Sequence, residues 1–564
     1  MEISRQQFRD ELPAIKAAID ECDFIALDTE LSGLHRPGTS KRIDSLANRY
    51  AEYREATERF IITQFGMCTF KWDQPSGRYI AKAFNFYIFP TSMTGRIQPN
   101  RVFMCQAQAL DFLSKQAFDF NKWVYQGVPY LTVAEEKAYM EEARKKLNDE
   151  LPDIPIDDKE RPFLQAAKDK IDAWIADPKD DVCVNITTKN AYQRRLIYQE
   201  VRKSYSGLTA EGRGGFILIQ RLTEKQLKQR EKERKKRLEE DCEQAIGFRK
   251  VIDWISASKK IVVGHNMLLD ICHVIAQFIQ PLPPKVQDFK KLAHDIFPHM
   301  IDTKYVSSAA AELQQLLGTA TSLDVLTFET RREAFKNPRI DMDWLFSRYI
   351  SDKAHEAGYD AYITGSVLLK LFSFLDAQQH PEKYKEPEEP APTEDDDQET
   401  GQQNKEWDIS DTEEEPDPNW TNDDDEEEVH NYGSIKVPLM TEQGTPTEML
   451  APYVNKVTMV RTGWEYFDFV DTEAIIEQHN TFIVHCKDKT VPRDTVFNIF
   501  SAHGKPVLDA LDEQTVMVIY EKLQEDQQHI MDKIKTQVSE DPECQNFDLL
   551  IETVAQYHRR IRDL

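Results

Sequence analysis

Residues 386–428 hold 21 acidic side chains and a single base, Lys405, and the wider stretch 381–431 adds six prolines and few apolar residues. Such a stretch cannot bury enough apolar surface to offset the entropy of ordering it. It is expected to be a disordered linker over 381–431, which forces the chain to fold as separate parts on either side. A length of 564 residues, too great for one ordinary core, points the same way. The linker also changes the meaning of the charge. The formal net charge of −27 argues on its face against a polyanionic partner, but 386–428 alone contributes −20 and leaves only −7 on the remainder. Nucleic-acid binding is not excluded.

The eight cysteines, at 22, 68, 105, 183, 242, 272, 486 and 544, form no Cys-x-x-Cys pair and no dense cluster. That usage suits reduced thiols in the nucleus or cytosol, and neither a zinc site nor a disulfide framework. MEISRQQFRDELP lacks the charged-then-apolar layout of a signal peptide, and no run of about 18 uncharged apolar residues appears. A soluble protein of the nucleus and/or cytoplasm, without a membrane partner, is expected.

Runs rich in β-branched and aromatic residues predict strands at FIALDTE (24–30), FIITQFGMCTF (60–70), FNFYIFP (84–90) and RVFMC (101–105). Helical patterns follow over 107–118 and 135–147, and prolines at 152, 155 and 162 mark a boundary. Residues 160–222 then read helix, strand, helix, strand, with GRGGF (212–216) as a hairpin turn. The α/β pattern resumes in KKIVVGHN, MIDTKYVSSAAAEL and HEAGYDAYITGSVLLKLFSFL, blocks that need the early strands to complete a sheet. One α/β domain is therefore expected over 1–150 and 226–380, interrupted by a small α/β insert over 151–225. A long helical pattern carries nine Lys or Arg between 221 and 237. It reads first as a solvated helix laced with i,i+4 ion pairs, and second as an RNA-binding stripe. Beyond the linker, the order β-α-β-β-α over 432–535 is that of a ferredoxin-like fold, and 536–564 closes the chain as a helical tail.

Alternation along FIALDTELSGL places Asp28 and Glu30 on one face of a strand end, with Thr29 on the other. Two carboxylates so close repel unless a cation lies between them or one is protonated. Alone, the pair also reads as an acidic strand-to-turn exit. GHNMLLD adds Asp270 on the first turns of a helix, and HEAGYD adds His355 five residues before Asp360 at another helix start. Singly, Asp270 and Asp360 also read as acids favoured at a helix N-terminus, and His355 as a surface or hydrogen-bonded histidine. Together, four acids and a histidine gather at the sheet edge where α/β folds place ligands.

Asp28-x-Glu30, Asp270 and His355-x4-Asp360 resemble the DEDDh exonuclease pattern. The wider blocks CDFIALDTELSG, FGMCTFKW, QAFDFNKW, QRRLIYQ, GHNMLLD, FPHMIDTK and HEAGYDAYITG resemble the poly(A)-specific ribonuclease family in order and spacing over 22–365. The resemblance implies an RNase H-like mixed-sheet nuclease domain, with an inserted single-strand-binding-like domain and a C-terminal RNA-recognition-like (RRM-like) domain. It implies a 3′-to-5′ exoribonuclease that shortens single-stranded RNA 3′ ends, poly(A) tails by default, and releases 5′-mononucleotides. Two Mg²⁺ or Mn²⁺ ions about 4 Å apart would be held by oxygen ligands alone. Asp28 would bridge them, Glu30 and Asp360 would hold the one that activates water, and Asp270 would support the second. His355 would accept the water's proton. Leu34 and Phe120 would sandwich the terminal base, and Lys304 would offer charge to base or phosphate.

Departures from the family matter. The insert lacks the Arg-x3-His pair, since Arg194 is followed by Tyr198 and Arg195 by Gln199, although Arg194, Arg195, Arg202 and Lys203 remain candidates for phosphate contact. Phe482 falls where a stacking aromatic of the C-terminal domain belongs, but TVMVIY offers no second pair, and the family's cap-stacking Trp aligns near Ala510. Cap binding is not expected unless Trp464 or Tyr466 substitutes. A role in homodimerisation or partner binding is expected for that domain. Trimming of small or non-coding RNAs such as piRNA precursors, a non-catalytic RNA-binding scaffold and a DNA-directed exonuclease stand as alternatives.

Overall fold

The computed structural model describes residues 1–35, 45–91, 101–147, 153–177, 182–318, 321–351, 353–384, 435–460, 464, 466–473, 478–487, 489–523, 525–542 and 544–562. The expected linker lies outside them except for 381–384. In chain order the strands are β1 (Glu2–Ile3), β2 (Phe24–Leu31), β3 (Ile62–Asp73), β4 (Arg78–Tyr87), β5 (Cys183–Thr187), β6 (Leu208–Gly212), β7 (Phe216–Arg221), β8 (Ile261–Gly264), β9 (Met300–Asp302), β10 (Ile340–Met342), β11 (Lys456–Val457), β12 (Phe467–Asp468), β13 (Thr481–Cys486), β14 (Pro506–Ala510), β15 (Thr515–Tyr520) and β16 (Leu549–Thr553).

A mixed sheet ordered β1-β4-β3-β2-β8-β9, with β10 also on β4, forms the body. Strands β2, β3 and β4 pair antiparallel, while β2, β8 and β9 run parallel. Both faces are covered, which is why these strands read as nearly continuous apolar runs. Ile25, Leu27, Phe65 and Met67 face a core closed by Phe248, Ile252, Ile271 and Phe278. Phe24, Ala26, Cys68 and Phe70 face the other core, built on the helix Ala357–Gln379. That helix is apolar nearly all round because it lies across β2, β3 and β4 beneath other elements.

The insert forms its own three-stranded sheet, β5-β7-β6, packed on the helices Arg161–Ala176 and Ala191–Ser204. GRGGF supplies the β6-to-β7 turn as expected. The long basic pattern is a helix, Glu224–Ile246, that stops at Gly247 (φ 59°). A Cβ there would come 2.0 Å from the Pro129 carbonyl oxygen, so only glycine allows this close crossing. RVFMC forms no strand; Phe103 instead joins Phe89 and Trp123 in an aromatic cluster.

Two expected boundaries are corrected. Residues 435–473 are not part of a C-terminal domain over 432–535, because they pack on the body. Val437, Leu439 and Leu450 enter one core, and Val457, Met459, Trp464, Phe467 and Phe469 enter the other. The edge strand β9 is paired by Asn455, whose N–H donates to the Met300 carbonyl (2.7 Å) while its Oδ1 accepts from the Met300 N–H (3.0 Å). An exposed strand edge is thereby closed. Lys290 and Glu473 form a buried ion pair across the same contact. The second correction is at 536–564, which is not a helical tail. The helix Gln527–Glu540 ends the preceding unit, and LLIET forms β16, paired antiparallel with β13. The LLIETVAQYHRRIR stretch fits both periods, and the open edge of β13 decides for the strand. The resulting sheet is ordered β14-β15-β13-β16. A last helix, Val554–Arg562, lies over its second face with Val554 and Tyr557 against Ile483, Leu511 and Met517.

Candidate active site

The end of β2 presents Asp28 and Glu30 on one face, opposite Gly66 and Gln64 of β3. The first turn of the helix Ala357–Gln379 sits directly on Gly66, where a Cβ would come 1.8 Å from the Ala357 carbonyl oxygen. Two buried strand amides hold that turn. Gln64 Oε1 accepts from the Ala357 N–H (2.8 Å), and Asn85 Oδ1 accepts from the Gly358 N–H (3.1 Å) while its Nδ2 donates to Glu356 (3.2 Å). These bonds satisfy helix donors that have no partner within the helix. They also fix where Asp360 stands.

Carboxylate oxygens of Asp28, Glu30 and Asp360 all lie within 4.8 Å of one another. His355 has a left-handed backbone (φ 65°), its N–H donates to Asp360 (3.3 Å), and its Nδ1 lies 4.0 Å from Asp360 Oδ2. Asp270 stands outside this trio, on the helix Leu268–Val274, and accepts a hydrogen bond from the Thr29 hydroxyl. Thr29 points to the opposite face from Asp28, so Asp270 approaches round the strand end. Burial, then the charges of Asp360 and Asp270, push Asp28 and Glu30 well above the usual carboxylate range. Burial pushes Asp270 up to about 7, against the Thr29 hydroxyl. A cluster of oxygen donors whose own charges oppose ionisation fits a hard divalent cation.

The expected substrate residues are more dispersed. Leu34 is half exposed beyond β2, and its N–H donates to Gln106 Oε1 (3.1 Å). Lys304 opens the helix Thr303–Ala309, where its N–H caps onto Asp302 (2.9 Å) and its charge helps hold His265 down at about 3, behind burial. Phe120 packs against Phe118 (4.9 Å) in the cluster around Tyr87 and Trp123. The aromatic ring that meets His355 is Phe112, edge-on at 5.0 Å and 42% exposed. Phe112 is not among the residues the sequence points to. Its only signal is position: in the helix Ala107–Lys115 the buried residue is Leu113, so Phe112 lies off the packed stripe. Thr29, Gln64, Gly66 and Asn85 were also missed, being ordinary strand residues until their distant partners are known.

The accessory modules carry further corrections. In the insert, Arg202 and Lys203 both pair with Asp153, and Arg194 donates to the Arg213 carbonyl (2.6 Å). Gln199 holds the Ile154 backbone (2.8 Å). Phe482 is not a surface stacking platform, for it points to the helix-covered face of its sheet against Phe500 and Tyr520. Trp464 is 1% exposed with its ring 5.1 Å from that of His558, which removes it as a cap-stacking substitute. Tyr466 packs edge-on to Tyr305 (5.2 Å).

The family model described as CAF1 family ribonuclease matches residues 3–368. Poly(A)-specific ribonuclease PARN of Xenopus laevis is 33% identical over 409 residues, covering 68% of this chain and 64% of that protein. Pre-piRNA 3'-exonuclease trimmer of Bombyx mori is 30% identical over 384 residues, covering 66% and 71%. Poly(A)-specific ribonuclease PNLDC1 of Mus musculus is 24% identical over 495 residues, covering 83% and 79%. The chain spans just under two thirds of the length of the Xenopus relative. With the carboxylate trio and His355 inside the matched span, the chain belongs to the CAF1 ribonuclease family, in the group that holds the poly(A)-specific ribonucleases and the pre-piRNA trimmer.

Proposed function

We propose that this protein is a divalent-metal-dependent 3′-to-5′ exoribonuclease that shortens single-stranded RNA and releases 5′-mononucleotides. The observation that carries the proposal is the convergence of Asp28, Glu30 and Asp360 oxygens within 4.8 Å, with His355 alongside. These three acids, with Asp270 behind them, would hold two Mg²⁺ or Mn²⁺ ions, which when bound supply positive charge to a water nucleophile and to the leaving 3′ oxygen. The chain's own groups do the rest. Asp360 faces Nδ1 of His355, which leaves Nε2 to take the proton from the attacking water. Phe112 packs edge-on against that imidazole and, with Leu34 and Phe120, offers apolar surface to the terminal base. Lys304 offers charge to the substrate beyond them.

Poly(A) tails are the substrate favoured by the relatives named for that activity. Trimming of small-RNA precursors is the second reading. It is favoured by the burial of Trp464 and Phe482, which leaves neither ring free to stack on a cap, and by the silkworm relative. The C-terminal strand order fits a ferredoxin-like, RRM-like unit whose second face is taken by the helix Val554–Arg562, which supports a docking role over RNA stacking. Action in the nucleus and/or cytoplasm accords with the reduced cysteines.

A 5′-labelled oligoadenylate in Mg²⁺ tests the direction. A ladder shortening one nucleotide at a time from the 3′ end, and blocked by a 3′-terminal phosphate, is expected. Internal cleavage products, or digestion indifferent to the block, would exclude the proposal.

A further inference from the structure

We infer that the helix Glu224–Ile246 is a second RNA contact, a lysine track that holds the phosphodiester backbone of single-stranded RNA away from the active site. The inference rests on the exonuclease reading for its substrate class. The helix runs from the insert to the body, and its C-terminal half packs on the helix Val133–Leu147 through Cys242 and Ala245 against Tyr139 and Met140. Its first three turns project beyond that contact. There Lys225, Lys228, Lys232 and Lys235 follow at intervals of three and four residues, which puts them on one side of the helix, and all four are exposed.

The expected lacing of ion pairs is mostly missing from this side. Among the described residues the pairs on these turns are Arg230 with Glu211 and Lys236 with Glu240, and none of the four lysines has an acidic partner. Lys232 instead has Lys228 and Lys236 at i−4 and i+4 and Lys235 at i+3. Like charges at those spacings destabilise a helix, by about 0.2–0.5 kcal/mol a pair, and a bound polyanion relieves that repulsion. Glu224 lies four residues before Lys228, and Glu231 and Glu239 four residues before and after Lys235, so acids edge the row at both ends while Lys232 at its middle has only lysines at those spacings. In the insert, by contrast, Arg202 and Lys203 share the one carboxylate of Asp153. At 1.5 Å per residue from Gly247, the row stands about 18–33 Å out along the stalk, so RNA length is the variable that separates contact at the row from contact at the catalytic acids.

The test uses the full chain carrying Asp28→Asn, so that RNA is bound and not consumed, with and without Lys225→Gln, Lys228→Gln, Lys232→Gln and Lys235→Gln together. Helix content by circular dichroism confirms that glutamine preserves the stalk. For a 30-nucleotide RNA in Mg²⁺, the added changes should weaken binding about tenfold and flatten the slope of log affinity against log salt by about 2–3. A five-nucleotide RNA should bind both proteins alike. Unchanged affinity for the long RNA, or equal losses on long and short, would overturn the track. If wild type releases no nucleotide yet the lysine-dependent, length-dependent binding stands, the exonuclease reading fails and the track does not.

Discussion

At the residue scale, the acids are arranged against their own stability. The folded-state pKa values of Asp28, Glu30 and Asp270 are raised, Asp270 to about 7. Such groups contribute stability below the unfolded value near 4 and lose it as pH rises through the folded value. In metal-free buffer at pH 8, Asp28→Asn should therefore be more stable than wild type, by about 1–3 kcal/mol in urea unfolding. Mn²⁺ should raise the melting temperature of wild type and leave that of Asp28→Asn nearly unmoved. A variant less stable than wild type without metal would contradict the account. The alternation of FIALDTE was enough to place Asp28 and Glu30 on one face, because strand geometry is local. That Asp270 would accept from Thr29, on the far face, was not legible, since 241 residues separate them.

At the element scale, one contact decides whether the site exists: the landing of the helix Ala357–Gln379 on β3. Gly66→Ala must move either the strand or the helix start, because its Cβ would overlap the Ala357 carbonyl. Overpacking of that kind costs about 1–3 kcal/mol, and a shift of about 1 Å in Asp360 should cost about 100-fold in nucleotide release. Gln64→Ala removes the acceptor of the Ala357 N–H and should lower release in the same direction by less, with the fold retained by circular dichroism. Activity of Gly66→Ala equal to wild type would show that the helix is placed by something else. FGMCTF was readable as a strand, but nothing in its own residues accounts for the glycine. Only the helix that crosses there explains the choice. The same lack of partner information turned LLIET into a helix, since the pattern of its own residues does not contain the open edge of β13.

At the scale of the whole molecule, the chain after the acidic stretch returns to complete the body before it builds the C-terminal sheet. The N–H of Thr458 donates to buried Asp302 (2.9 Å), and Glu473 neutralises buried Lys290. A chain ending at residue 477 should keep the fold and nucleotide release, whereas one ending at residue 431 should unfold at markedly lower temperature or fail to stay in solution. Lys290→Ala leaves Glu473 buried without its partner and should cost about 3–5 kcal/mol. Buried His273 and His558 bear on the pH dependence, with pKa values lowered by burial to about 3 and about 4. A depressed histidine costs stability once the unfolded form takes a proton, so stability should fall below pH 6.5 by about 1.4 kcal/mol per pH unit for each, down to the folded value. Composition could mark the acidic stretch as a divider but not where the first core ended, because 435–473 has the same apolar, turn-rich character as a small separate unit.

The proposed role of Asp28, Glu30, Asp270, His355 and Asp360 is a metal-dependent site for removing 3′ nucleotides. The most direct test is 5′-AMP release from a 3′-labelled oligoadenylate in Mg²⁺, comparing wild type, Asp28→Asn and Asp360→Asn under conditions where all three are folded. Wild type should release 5′-AMP steadily, chelation should abolish that release, and each variant should lose about 1,000-fold or more. Equal release by wild type and either variant, or release that survives chelation, would contradict it.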